Sequence, residues 1–105
     1  MPYINESYRE KLDTDIDCIV GSIKSNLLYP NDPKAFWSMA GDINYCFTRI
    51  LCQLLGDVSY SKIALATGVL ENVKQEFYRR LASPYEDSKM INNGDIPEYK
   101  GVENV

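Results

Sequence analysis

The sequence predicts an all-α fold: a small helical bundle built on a long antiparallel hairpin, about residues 33–55 and 60–82, with an N-terminal helix and a short C-terminal helix. Three observations carry this prediction. Apolar residues recur at helical spacing in three separate stretches, residues with N-capping chemistry stand before them, and Gly56 and Gly94 stand where helices should stop.

In the first stretch Asp13 or Thr14 caps a helix in which Ile16, Ile19, Val20 and Ile23 fall at i, i+3, i+4 and i+7, one amphipathic stripe. The residues before it, up to Leu12, read as an arm with one short helical turn. Leu27 to Asp32 break the pattern, and Pro30 and Asn31 are turn formers. Asp32-Pro33 then reads as an N-cap followed by proline at the first helical position. The second helix carries Ile43, Phe47, Ile50, Leu51 and Leu54 on its apolar face, with an interruption at Gly41-Asp42. Ser59 caps the third helix, in which Ile63, Ala66, Leu70, Val73, Phe77 and Leu81 alternate spacings of three and four. Ser83-Pro84-Tyr85-Glu86 has the form of a capping box and restarts the chain as a short fourth helix. The domain is expected to span 1–94, leaving 95–105 as a mobile tail. Apolar seams on long helices in so short a chain also predict self-association.

Composition narrows the chemistry. Of 105 residues, 11 are Lys or Arg and 15 are Asp or Glu, for a net charge of −4. That balance, with Arg79-Arg80 as its largest basic cluster, speaks against duplex nucleic acid as a partner. No run of apolar residues is long enough for a membrane span, and the N-terminus lacks the pattern of a secretion signal, so a cytoplasmic protein is expected. Histidine is absent, which removes the commonest general base and the commonest zinc ligand. The three cysteines, Cys18, Cys46 and Cys52, lie in apolar helical patterns without C-x-x-C spacing and read as small buried hydrophobes. Glu71, Glu76, Glu86, Asp87 and Asp95 can ligate a divalent cation in principle, but no EF-hand or E-x-x-H pattern organises them. The expectation is a non-enzymatic protein with no cofactor and no metal.

One polar band stands out. Asp42, Tyr45 and Arg49 share a face of the second helix, with Asn44 nearby. Glu71, Gln75 and Tyr78 share a face of the third, which ends in Arg79 and Arg80, and Tyr85, Glu86 and Asp87 follow. Tyrosine stacks on bases or partner side chains, and arginine offers a planar fork to phosphate or carboxylate. Asp42, Asn44, Tyr45, Arg49, Glu71, Tyr78, Arg79, Arg80 and Tyr85 are therefore the candidate ligand-binding residues. The competing reading is structural: arginines complement the dipole at a helix C-terminus, and Glu76 and Arg80 are spaced as a weak i,i+4 pair.

Gly41-Asp42-Ile43-Asn44-Tyr45 with Thr48-Arg49 forms one motif. Gly68-Val69-Leu70-Glu71, Val73-Lys74 and Glu76-Phe77-Tyr78-Arg79-Arg80 form a second, and Pro84-Tyr85-Glu86-Asp87, Lys89 and Asn93-Gly94-Asp95 a third. In these motifs, covering most of Gly41 to Asp95, and in its opening Met1-Pro2-Tyr3-Ile4, the chain resembles a family of short, uncharacterised proteins carried by phages and prophages. The resemblance implies a phage or mobile-element origin and brings no activity with it. With that origin, the Tyr/Arg/Asn band, suited to base stacking and phosphate pairing, gives the expected function: a phage-encoded binding protein that sequesters a nucleotide-type immune signal of the host bacterial cell. The alternatives are an inhibitor or adaptor acting on a host defence protein, or a virion or assembly accessory protein.

Overall fold

The computed structural model describes residues 2–102. They are helical, with no strand among them: α1 is Glu6–Ser25, α2 Ala35–Leu55, α3 Tyr60–Phe77 and α4 Ser83–Asn93, and a π-helical turn, Tyr78–Ala82, joins α3 to α4. The chain divides into two units, 1–66 and 67–105, with the boundary inside α3.

In the first unit α1 begins two turns earlier than the expected cap at Asp13 or Thr14. Tyr8 and Leu12 continue the stripe of Ile16, Ile19 and Ile23 backward at i−4 steps, so the periodic face reaches into the supposed arm. The Asn5 carbonyl accepts from Tyr8 N at 3.0 Å and Arg9 N at 3.1 Å, and Arg9 Nε donates to the Ile4 carbonyl at 2.7 Å, tying down the helix start. The cap expected at Asp32-Pro33 is displaced by two residues. Lys34 occupies the N-cap position, and Asp32 acts one step earlier, its Oδ1 accepting from Lys34 N at 2.8 Å in an Asx turn. Gly41-Asp42 does not interrupt α2, which runs unbroken for 21 residues; an isolated glycine weakens a helix by only about 1 kcal/mol, less than its neighbours supply.

Gly56 ends α2 at φ 64°, ψ −129°, a region open to glycine and strained for any other residue. Ser59 then caps α3 as expected, its Oγ accepting from Lys62 N at 3.3 Å. Lys62 reaches back across the connection, Nζ donating to the carbonyls of Leu55 at 3.1 Å and Asp57 at 3.0 Å. A cation there satisfies the Leu55 carbonyl that the end of α2 leaves unpaired, together with the Asp57 carbonyl of the connection, and complements the helix dipole. Lys62→Ala is expected to cost about 0.5–1 kcal/mol, read as a thermal midpoint about 2–8 °C lower at fixed protein concentration. Lys62→Arg should retain most of the difference.

The packed helix pair in this unit is α1 with α2. The expected α2–α3 hairpin is not among its helix contacts: the first turns of α3, which belong to this unit, do not pack along α2.

In the second unit Ser83 is not an N-cap. Its backbone is helical, φ −61° and ψ −48°, and its side chain makes no capping bond, so the expected capping box does not form. Pro84 explains what replaces it. Proline has no N–H for the carbonyl four residues back and its ring crowds that carbonyl. The chain widens by one residue per turn instead of breaking, and Ser83 N donates to the Tyr78 carbonyl in the i→i+5 pattern. Gly94, at φ 86°, closes α4 as expected, its N–H reaching the Met90 carbonyl at 2.9 Å. Beyond it the Ile96 carbonyl accepts from Tyr99 N and Lys100 N, both at 3.2 Å. Residues 103–105 of the expected tail lie outside the described residues.

No described residue of either unit is buried. The stripes recognised in the sequence exist as faces, but they are open: Ile16 is 52% exposed, Phe47 57% and Phe77 65%. The cysteines follow suit. Cys18 and Cys52 are exposed and Cys46 is half-buried, all as free thiols, so the expectation of buried cysteines is overturned. Periodicity correctly placed them on helix faces that neither unit covers by itself.

Candidate functional site

The nine candidate residues fall into two groups, one in each unit. In the first, α2 presents Asp42, Tyr45 and Arg49 at one side through their spacing of three and four. Arg49 Nη1 donates to the Tyr45 hydroxyl at 3.0 Å, and its guanidinium carbon lies 5.8 Å from the Tyr45 ring centroid. A guanidinium carries five N–H donors, so this contact orients Arg49 without exhausting it. Asp42 is half-buried, and its Oδ2 accepts a long 3.5 Å bond from Nδ2 of Asn26, the residue that follows the last turn of α1. Asn44, two residues from Asp42, faces elsewhere. Its carbonyl accepts from Thr48 Oγ1 at 2.7 Å and its Oδ1 lies 3.5 Å from the same hydroxyl, a bond turned inward on the helix.

Pairing of α1 with α2 creates a hollow of about 440 Å³ that the sequence did not announce, lined by Cys18, Ile19, Ser22, Ile23, Asn26, Asp42, Tyr45 and Cys46. Asn26 and Asp42 also border a neighbouring hollow of about 270 Å³, which continues past Tyr29 and Asp32 to Lys34 and Ser38. Asn26 is thus the residue that sequence reasoning missed. The only signal for it was its position at the end of α1, and that has no meaning until α1 is known to lie on α2.

In the second unit the candidates are more fully engaged in local pairs. Glu71 Oε1 accepts from Gln75 Nε2 at 3.2 Å and stands 3.7 Å from Lys74 Nζ. Arg79 is bound through two nitrogens to the Glu76 carboxylate, so it is Arg79, and not Arg80 as the spacing suggested, that pairs with Glu76. Tyr78 and Arg80 are exposed on the π turn, and Lys89 Nζ sits 5.5 Å from the Tyr85 ring centroid on α4. Among the described residues no three Cys, Asp or Glu side chains gather where a metal ion could be held, and no helix is long and apolar enough to cross a membrane.

A family model described as Domain of unknown function (DUF6899) matches residues 1–96, nearly the whole chain. The chain belongs to this family. All nine candidate residues lie within the DUF6899 match, as do all four helices, and only the residues from Pro97 onward fall beyond it. No curated protein and no solved structure matches this DUF6899 chain.

Proposed function

We propose that this DUF6899 protein is a non-enzymatic binding protein of phage or prophage origin that works as a homo-oligomer in the cytoplasm of the host bacterial cell and sequesters a nucleotide-type signalling molecule. The observation that supports this reading is the Tyr45–Arg49 pair at the edge of the α1–α2 hollow. The hollow offers apolar walls from Ile19 and Ile23, a ring for stacking from Tyr45, and the polar groups of Asn26 and Asp42 for a base edge or ribose hydroxyls. Arg49, held in orientation by Tyr45, supplies the fork for phosphate. On the second unit, Tyr78, Arg80 and Tyr85 are exposed groups of the same chemistry.

The test is thermal unfolding at fixed protein concentration against cyclic nucleotides, ADP-ribose derivatives and dinucleotides. A ligand present at 100 times its Kd adds about 2.7 kcal/mol. At about 4–8 °C per kcal/mol, the midpoint should rise by about 11–22 °C. A panel in which no member moves the midpoint removes the ligand class.

A second reading rests on the exposed Ile91 and Tyr99 of the second unit, 77% and 67% accessible. Apolar and aromatic groups of this kind fit an inhibitor or adaptor docking on a host defence protein, or a virion accessory protein.

A further inference from the structure

The seam of α2 is the most complete apolar surface of the first unit. Phe36, Ala40, Ile43, Phe47, Ile50 and Leu54 follow one another at steps of four, three, four, three and four. That spacing keeps them in a single line over about 27 Å of helix, the pattern that drives helices to pair. Phe36, Phe47, Ile50 and Leu54 are 64%, 57%, 44% and 80% exposed. Asp42 and Arg49, the only charged residues of α2, lie off the line. α1 takes a different side of the helix, through Asp42, Tyr45 and Cys46, and leaves the seam open except at Ile43, which is half-buried.

We infer that this seam pairs with the same seam of a second copy, antiparallel, about a two-fold axis that crosses the seam midway between Ile43 and Phe47, at the level of position 45. The inference rests on the oligomeric part of the proposed function and not on its ligand. Three features select a second copy. First, the line is self-complementary in reverse: an axis near position 45 sets Phe36 against Leu54 of the second copy, Ala40 against Ile50 and Ile43 against Phe47. Each pairing joins a larger group to a smaller one, as close packing requires. A parallel pair sets Ala40 on Ala40 and Phe47 on Phe47, alternating void and clash. Second, no charge lies on either side, so nothing repels its own copy. Third, Phe36, Phe47, Ile50 and Leu54 offer on the order of 100 Å² each and Ala40 and Ile43 about half that, so the two copies together hide about 1,000 Å², the area a specific interface has to clear. A two-fold axis makes the surface its own partner.

The measurement is the mass of the full chain by light scattering, with and without Phe47→Glu. The expected result is twice the 12.0 kDa chain mass for the wild type and a single chain mass for the variant. A second variant avoids dependence on a charge that could unfold the protein: Ala40→Cys with Ile50→Cys, after replacing Cys18, Cys46 and Cys52 with serine. Ten residues of helix hold positions 40 and 50 about 15 Å apart, too far for a disulfide within one chain. Oxidation should link Cys introduced at 40 to Cys introduced at 50 of the second copy, identified by peptide mass. Links of 40 to 40 and 50 to 50 overturn the antiparallel register. An oligomer that ignores Phe47→Glu and forms no 40–50 link overturns the seam but keeps the oligomeric reading. A monomeric wild type overturns both and assigns the seam to the chain's own α3 or to a different protein.

Discussion

Gly56→Ala should unfold well below the wild type, while Gly21→Ala should unfold at or above it. The two substitutions add the same methyl group, and neither added Cβ meets an atom within 4 Å. Crowding therefore cannot account for a difference, and backbone conformation decides both. At Gly56, φ is 64° with ψ −129°, a combination that costs a residue with a side chain about 1–3 kcal/mol. The midpoint should fall by about 4–24 °C, at about 4–8 °C per kcal/mol. At Gly21 the backbone is helical. Alanine there restricts the unfolded chain more than the folded one and adds about 0.5–1 kcal/mol of stability. Differential scanning calorimetry of both variants at one protein concentration checks the pair. Equal shifts for the two would mean that the turn after Leu55 is not held as described.

Arg49→Glu should reduce affinity for the panel compound that stabilises the protein by about tenfold to a hundredfold. Reversing the charge removes the phosphate fork and places a carboxylate against the anion. Arg49 is exposed at the rim of the hollow, so losing its hydrogen bond to a charged group costs about 1.5–3 kcal/mol, and each 1.4 kcal/mol is tenfold in affinity. Tyr45→Phe removes only the hydroxyl that accepts from Arg49 Nη1 while keeping the ring, so its effect should be about tenfold or less. Titration calorimetry gives both numbers, and unchanged thermal midpoints without ligand establish that the fold is intact. If Arg49→Glu binds as tightly as the wild type, the ligand does not use the Arg49 fork. Arg79 is the contrasting case, because its guanidinium already serves the Glu76 carboxylate.

What the sequence could reveal depended on how far each feature reached along the chain. Gly56, Ser59 and Gly94 were legible because a cap is decided by a few adjacent residues. The same held for Tyr45 and Arg49, four residues apart on one helix. The start of α1 was misplaced because Tyr8 and Leu12 sit among charged residues that dilute the stripe. The junction at Ser83-Pro84 was misread for a different reason. Local chemistry favoured a break, but a proline's missing donor can also be absorbed by a wider turn, and nothing in the adjacent residues chooses between these solutions. Asn26 carries no readable signal in the sequence, and Cys18 reads there only as core, because their proximity to Asp42 and Cys46 comes from the packing of α1 on α2. Periodicity showed that each helix has an apolar face; it carries no information on what covers that face.

The exposed thiols of Cys18 and Cys52 have a consequence for the chain once it leaves a reducing environment. An accessible thiol oxidises in air and can bridge two molecules. Such a bridge would imitate an α2 pair in any measurement of mass alone. The two species part ways under opposite treatments: a bridged dimer survives dilution and disappears with a thiol reductant, whereas a pair held by Phe47 and its neighbours comes apart on dilution and is indifferent to the reductant.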